Sequence, residues 1–172
     1  RRSEESESDY LFEDITGVFA HMTGDTGSAQ AVGRARDMDA LLLVLRAFES
    51  PYVVPTLDEV DPVAEYEAIR SELLLADMAV VEKRLQNIER DLKKPRDRDA
   101  LLAEQALMER CMEAIESEEG LAGLDLNEAE QKALRHYSFL TLKPHLCVIN
   151  IGEEDVAEPP EWPELDRMSP PP

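Results

Sequence analysis

The chain has 172 residues, 43% of them hydrophobic, with 38 acidic against 18 basic side chains and a formal net charge of −20. That length supports one modest core, with room for a second helical lobe, and the charge excludes general adhesion to nucleic acid or anionic lipid through the whole surface. No run approaches the roughly 20 apolar residues of a membrane span, and no charged start followed by an apolar run marks a secretion signal, so a cytoplasmic protein without membrane or specific DNA contact is expected.

Residues 1–9 (RRSEESESD) are polar and charged and are expected to be disordered. Tyr10 to Glu13 reads as a short strand feeding Asp14-Ile15-Thr16-Gly17. From Val18 to Gly33 the glycines Gly24, Gly27 and Gly33 predict a mobile loop, with a short helix over about Ala29 to Arg36. The apolar run Ala40 to Phe48 (ALLLVLRAF) predicts a buried strand, ended by Pro51 and Pro55. Asp61 followed by Pro62 supplies an N-cap and a preset first helical turn.

Beyond that cap, Leu74, Met78, Val81, Leu85, Ile88 and Leu92 recur at alternating spacings of four and three, which places them on one stripe of a helix. Such a helix, Pro62 to Lys94, would be roughly 50 Å long. Lys94-Pro95-Arg96-Asp97 breaks it. A second helix, about Asp97 to Glu118, offers Leu101, Met108, Met112 and Ile115, so antiparallel pairing buries both stripes. Gly120 and Gly123 end this hairpin, and Asn127 with Glu130 forms a capping box for a third helix, to about Leu140.

After Pro144, the run Leu146 to Ile151 predicts a second strand, parallel to the first, that ends in Asn150-Ile151-Gly152-Glu153. An α/β sheet binds ligands at the carboxyl ends of its strands, which makes this polar stretch a candidate base-reading loop; the plainer reading is that Asn150 and Glu153 begin an ordinary loop, as Asp14 can cap an ordinary turn. The tail from Glu154 holds six of the eleven prolines and predicts no regular structure, with Trp162 a loosely packed surface indole or a docking residue. Cys111 and Cys147 form no C-x-x-C and read as buried free thiols, and His21, His136 and His145 show no ligand spacing. Seven cations, Lys83, Arg84, Arg90, Lys93, Lys94, Arg96 and Arg98, gather near the hairpin tip. They form either a solvated turn paired with nearby carboxylates or a contact for RNA or an acidic protein surface.

Five stretches together carry a family resemblance: Asp14-Ile15-Thr16-Gly17, LLLVLRAFE, DPVAEYEAIRSELLLADMAVVEKRL, LDLNEAEQKALRHYSFLTLKP and Asn150-Ile151-Gly152-Glu153. The chain resembles YchF-type, Obg-like P-loop ATPases over most of its length, the DPV helix and the SFLTLKP segment being the specific parts. The resemblance implies an α/β fold: a partial P-loop NTPase (Rossmann-like) parallel sheet over residues 10–60 and 119–155, an inserted antiparallel coiled-coil arm over 61–118 and a proline-rich tail over 156–172. It also implies ATP or GTP with Mg²⁺ as cofactor, adenine preferred, and contact with the ribosome; the basic tip residues Lys93, Lys94 and Arg96 are the candidate contact of the arm with the ribosome, a protein or RNA. Asp14 would hold Mg²⁺ through water, since a carboxylate suits a hard cation, and the Gly17 backbone N–H would approach the γ-phosphate. Asn150 would hydrogen-bond the base, and Glu153 takes the place of the Asp by which ordinary GTPases select guanine. Val18, where many GTPases place a water-orienting Gln, agrees with the family.

The sequence also departs from that pattern. It contains no G-x-x-x-x-G-K-[ST] run, the loop whose amides and lysine cradle the phosphates. The family's first strand, last strand and C-terminal domain have no counterpart either. The expectation is therefore a fragment, favoured by the Arg1-Arg2 start without Met, or a shortened relative, with no catalytic residue of its own. The other readings are a coiled-coil module that binds protein or RNA without nucleotide, and a helical remnant without activity.

Overall fold

The computed structural model describes residues 26–50, 52, 59–94, 98–118 and 120–168. The expected Tyr10–Glu13 strand, the first part of the glycine loop, and Asp14, Gly17, Val18 and Arg96 lie outside the described residues.

Two parallel strands form the sheet, β1 (Leu41–Ala47) and β2 (His145–Ile151), with Leu41 opposite His145 and Ala47 opposite Ile151. Leu43 and Leu45 turn to one face and are buried with Tyr66, with Cys147 and Ile149 packed beside them. On the other face Leu42, Val44, Leu146 and Val148 are 41–55% exposed. Parallel strands are usually apolar on both faces because helices cover both. That explains the unbroken LLLVL run, although among the described residues only one face of it is covered.

The first helix, α1 (Thr26–Asp37), starts earlier than the glycine pattern predicts. Glycine costs a helix about 1 kcal/mol relative to alanine, and packing of Val32 and Ala35 against Leu73 and Leu140 offsets that cost. Between the strands stands the predicted hairpin, α2 (Pro62–Asp91) and α3 (Arg98–Glu116). The Asp61 carboxylate accepts hydrogen bonds from the Val63 and Ala64 N–H groups at 2.9 and 3.2 Å, satisfying amides that a helix start leaves open. The helices are antiparallel: Arg84 reaches Glu104, and Arg70, nearer the start of α2, reaches the Glu118 carbonyl beyond the end of α3. Leu74, Val81 and Ile88 are buried against Leu107, Met108, Cys111 and Ile115, with Met78, Leu85 and Leu92 flanking them, as the spacing of four and three requires. Each such burial contributes about 1.5–3 kcal/mol.

The third helix of the sequence reading, α4 (Glu128–Arg135), has the predicted capping box, Asn127 Oδ1 accepting from the Ala129 and Glu130 N–H groups and Glu130 accepting from the Asn127 N–H. It stops at Arg135, short of the expected Leu140. Ser138 takes a left-handed φ of 48°, Phe139 is extended, and the chain leaves the helix to deliver its amides to α2. The receiving group is Asp77, which is fully buried. Its carboxylate accepts from Arg36 Nη1 at 2.8 Å, Leu140 N–H at 3.0 Å, and Thr141 N–H and Oγ1 at 2.9 Å each. One side chain thus joins α1, α2 and the Leu140–Leu142 turn that leads into β2.

The expectation of an irregular tail is corrected by α5 (Pro163–Met168). Pro163 sits at the first helical position, where its fixed φ suits a helix start. Leu165 is buried against Leu43, Leu45 and Tyr66, and Trp162 packs against the same cluster, so the indole is an anchor and not a loose surface ring. Proline content predicted no regular structure, whereas two apolar residues with a core to cover decided otherwise.

Candidate functional site

The candidate base-reading stretch stands where the sequence predicts it, at the carboxyl end of β2. Asn150 is the penultimate residue of the strand, Gly152 follows it, and Glu153–Asp155 form a single 3₁₀ turn. Asn150 and Glu153 are both exposed. Neither side chain has a partner among the described residues, so the amide's donor and acceptor and the carboxylate's lone pairs face solvent.

The register adds a neighbour that sequence reasoning missed: Arg46 of β1 lies opposite Asn150. Paired residues share a face, so a guanidinium and an amide close the carboxyl end of the exposed face that carries Leu42, Val44, Leu146 and Val148. Arg46 is held in place. Its Nε donates to the Phe48 carbonyl at 2.7 Å, its guanidinium lies 4.9 Å from the Phe48 ring centroid, and its backbone N–H donates to Glu65 Oε2 at 2.6 Å. Only strand pairing, which joins residues about a hundred positions apart, brings these groups together.

The groups on this edge are an amide, a guanidinium and three successive carboxylates. An amide beside a carboxylate matches the donors and acceptors of a base edge, whereas Glu153, Glu154 and Asp155 in succession repel a polyanion. Among the described residues no group of three or more His, Cys, Asp or Glu is arranged to hold a metal ion. The predicted Mg²⁺ and γ-phosphate residues, Asp14 and Gly17, lie outside the described residues, so their position relative to Asn150 and Glu153 is not part of this geometry.

At the hairpin tip the cations divide into paired and open ones. Arg84 makes a two-pronged bond to Glu104, at 2.8 and 2.5 Å. That bond holds the Glu104 carboxyl below its usual range, while burial, and then Glu104 as acceptor, raise the Tyr137 phenol that also donates to it. Glu104 therefore joins α3 both to α2, through Arg84, and to the segment that follows α4, through Tyr137. Lys94 pairs with Asp91 at 2.9 Å, and Arg90 bonds Asn87. Lys93 and Lys94 are exposed, and Lys93 has no side-chain partner among the described residues.

Beneath α4 an open groove of about 740 Å³ is lined by Arg36, Asp37, Asp39, Arg135 and Lys143 among others. Two of its three cations are engaged, Arg36 with Asp77 and Lys143 with the Met38 carbonyl.

Both cysteines are free thiols, as the sequence predicts; Cys111 is buried and Cys147 half-buried. Desolvation pushes the Cys111 thiol up to about 11. Alkylation needs the thiolate, so in native protein at pH 8 iodoacetamide is expected to label Cys147 first and to reach Cys111 only after unfolding, as read by peptide mass spectrometry. Native labelling of Cys111 at the Cys147 rate would show that the hairpin core opens readily.

No family model matches the chain. It is 35% identical over 151 residues to the ribosome-binding ATPase YchF of Bacillus subtilis, spanning 87% of this chain and 41% of that protein. It is 33% identical over 144 residues to the protein of the same name from Escherichia coli O157:H7, and 32% identical over 144 residues to Obg-like ATPase 1 of Oryza sativa subsp. indica, spanning 39% and 36% of those proteins. Among solved structures it matches the YchF GTPase of Schizosaccharomyces pombe with a TM-score of 0.69 at 24% identity, over 87% of this chain and 42% of that one, a likeness of fold. The chain thus spans about two-fifths of the length of the curated relatives it matches.

Proposed function

Since the chain belongs to the YchF and Obg-like ATPase family, we propose that it is a cytoplasmic, ribosome-associated nucleotide-binding protein contributing a base-reading edge and a coiled-coil arm. In this reading it favours ATP over GTP and does not hydrolyse nucleotide by itself. The observation that carries the proposal is the open pair Asn150 and Glu153 at the carboxyl end of β2. Asn150 offers the base one donor and one acceptor. Glu153 is a methylene longer than the Asp that selects guanine, which moves its carboxylate off the guanine edge and favours adenine. Bound ATP with Mg²⁺ would supply the triphosphate, for which Asp14 and the Gly17 amide are the proposed contacts. With no G-x-x-x-x-G-K-[ST] run in the sequence, phosphate affinity is weak and catalysis is not assigned to any residue of this chain.

Isothermal titration with ATP and GTP in the presence of Mg²⁺ tests this. Binding of ATP in preference to GTP is expected, and Asn150→Ala is expected to weaken ATP by about tenfold, through loss of hydrogen bonds to the base. Heat from neither nucleotide would sink the nucleotide reading and leave the arm as the functional part.

In the same proposal the arm is a coiled coil, and its tip, through Lys93, Lys94 and Arg96, contacts the ribosome. Reversing these three charges to Glu is expected to abolish co-sedimentation with ribosomes while leaving the circular dichroism spectrum and melting midpoint unchanged. Salt should weaken the wild-type association steeply, as it does any contact of cations with phosphates. Unchanged co-sedimentation would remove the tip from the interface.

A further inference from the structure

The stretches that build the carboxyl end of the sheet are acidic, with a single exception. Residues 41–69, which form β1 and lead into α2, and residues 146–166, which carry β2 from its second residue onward, contain one Lys, Arg or His between them, Arg46. Their acids include Glu49, Glu65, Glu153, Glu154 and Asp155. Arg46 is the penultimate residue of β1, opposite Asn150, and its side chain is folded forward along the strand. Nε donates to the carbonyl of Phe48 at 2.7 Å, and the guanidinium lies 4.9 Å from the centroid of the Phe48 ring, one residue beyond the strand's last residue, Ala47. The positive charge is thereby carried to the carboxyl end of the strand, the pole at which open α/β sheets bind ligands. Neighbouring strands lie only about 4.8 Å apart, so this guanidinium and the Asn150 amide belong to one surface.

We propose that Arg46 is a phosphate-binding residue of this edge: with the base on Asn150, its guanidinium holds the phosphate that joins the ribose. This role presupposes the nucleotide-binding function proposed for the Asn150 edge, and adds to it the countercharge that the edge otherwise lacks. A guanidinium stays charged at any physiological pH, and its planar fork of N–H donors matches phosphate oxygens. The bond and the ring contact with Phe48 hold the side chain in place beforehand, so less side-chain freedom is lost when a ligand arrives. The carboxylates of Glu153, Glu154 and Asp155 oppose an anion, but a direct contact outweighs charges set farther off in solvent, because the interaction falls with distance and is screened by salt.

Isothermal titration of the full chain with AMP and with adenosine, which differ by one phosphate, tests this role without any need for Mg²⁺. The wild-type chain is expected to bind AMP about tenfold more tightly than adenosine, as one charge-assisted contact provides, and added salt should narrow that preference. Arg46→Gln is expected to bring AMP down to the level of adenosine and to leave adenosine unchanged. Arg46→Lys, which keeps the charge without the fork, should retain part of the preference, whereas Asn150→Ala should weaken both ligands alike. Unchanged circular dichroism spectra report that the variants are folded. Equal losses of AMP and adenosine in Arg46→Gln would make Arg46 a packing residue of the strand end, and an intact preference for AMP would place the phosphate elsewhere; either overturns the proposal. Failure of the nucleotide reading looks different, since adenosine then does not bind the wild-type chain at all. In that event pyrophosphate, titrated in the same way, still decides about Arg46: binding that Arg46→Gln abolishes keeps it as an anion contact, and absence of binding removes it.

Discussion

Replacing Asp77 with alanine is expected to destabilise the protein by about 3–5 kcal/mol, the range for removing one partner of a buried, hydrogen-bonded charge pair. Asp77 has no exposed surface, and four donors converge on it. Its loss strands the Leu140 and Thr141 amides and the Thr141 hydroxyl, and among the described residues leaves Arg36 the Ala76 and Ser138 carbonyls. Unmade buried bonds cost about 1–3 kcal/mol each where water cannot reach them. Asp77→Asn keeps the shape and one acceptor oxygen but turns an NH₂ group toward donors, so a smaller loss, about 2 kcal/mol, is expected. Urea titration followed by circular dichroism measures both. A loss below about 1 kcal/mol for the alanine variant would mean that the site rehydrates and that Asp77 does not join the three elements.

Phe139→Ala is expected to cost a comparable amount, about 3–5 kcal/mol. Phe139 is buried in the cluster at the base of the hairpin, together with Leu74, Leu121 and Leu134, and stacks on Tyr137 with ring centroids 5.5 Å apart. Removing the ring opens a cavity beneath α4 and loosens Tyr137, whose hydroxyl bonds Glu104 on α3. Phe139→Leu, which refills most of the volume, should cost about 1.5 kcal/mol or less. Since Phe139 directly precedes Leu140, the Phe139 and Asp77 substitutions share one backbone segment. The double variant should lose less than the two single losses combined, with a coupling of about 0.5–3 kcal/mol. Simple additivity would show that the hairpin base and the Asp77 junction unfold independently.

What the sequence determined by itself is the set of features whose signal is local. Asp61-Pro62 starts α2 and Asn127 with Glu130 starts α4, because a cap needs only residues two or three positions apart. The hairpin core followed from spacing, since positions four and three apart share a helix stripe wherever the helix lies. Asn150 and Glu153 were legible as a polar strand end for the same reason. Tertiary structure alone decided the rest. Asp77 reads in sequence as one more charge on an acidic helix, and it is buried because Arg36 lies 41 positions before it and Leu140 63 positions after it. The same contact ends α4 at Arg135, where continued helix would withhold the Leu140 and Thr141 amides from that carboxylate. Trp162 and Leu165 make a helix in a proline-rich tail because Leu43 and Leu45 need covering, and Arg46 joins Asn150 only through strand register. Spacing along a chain encodes which residues share a face of one element, whereas burial and pairing depend on which other element that face meets.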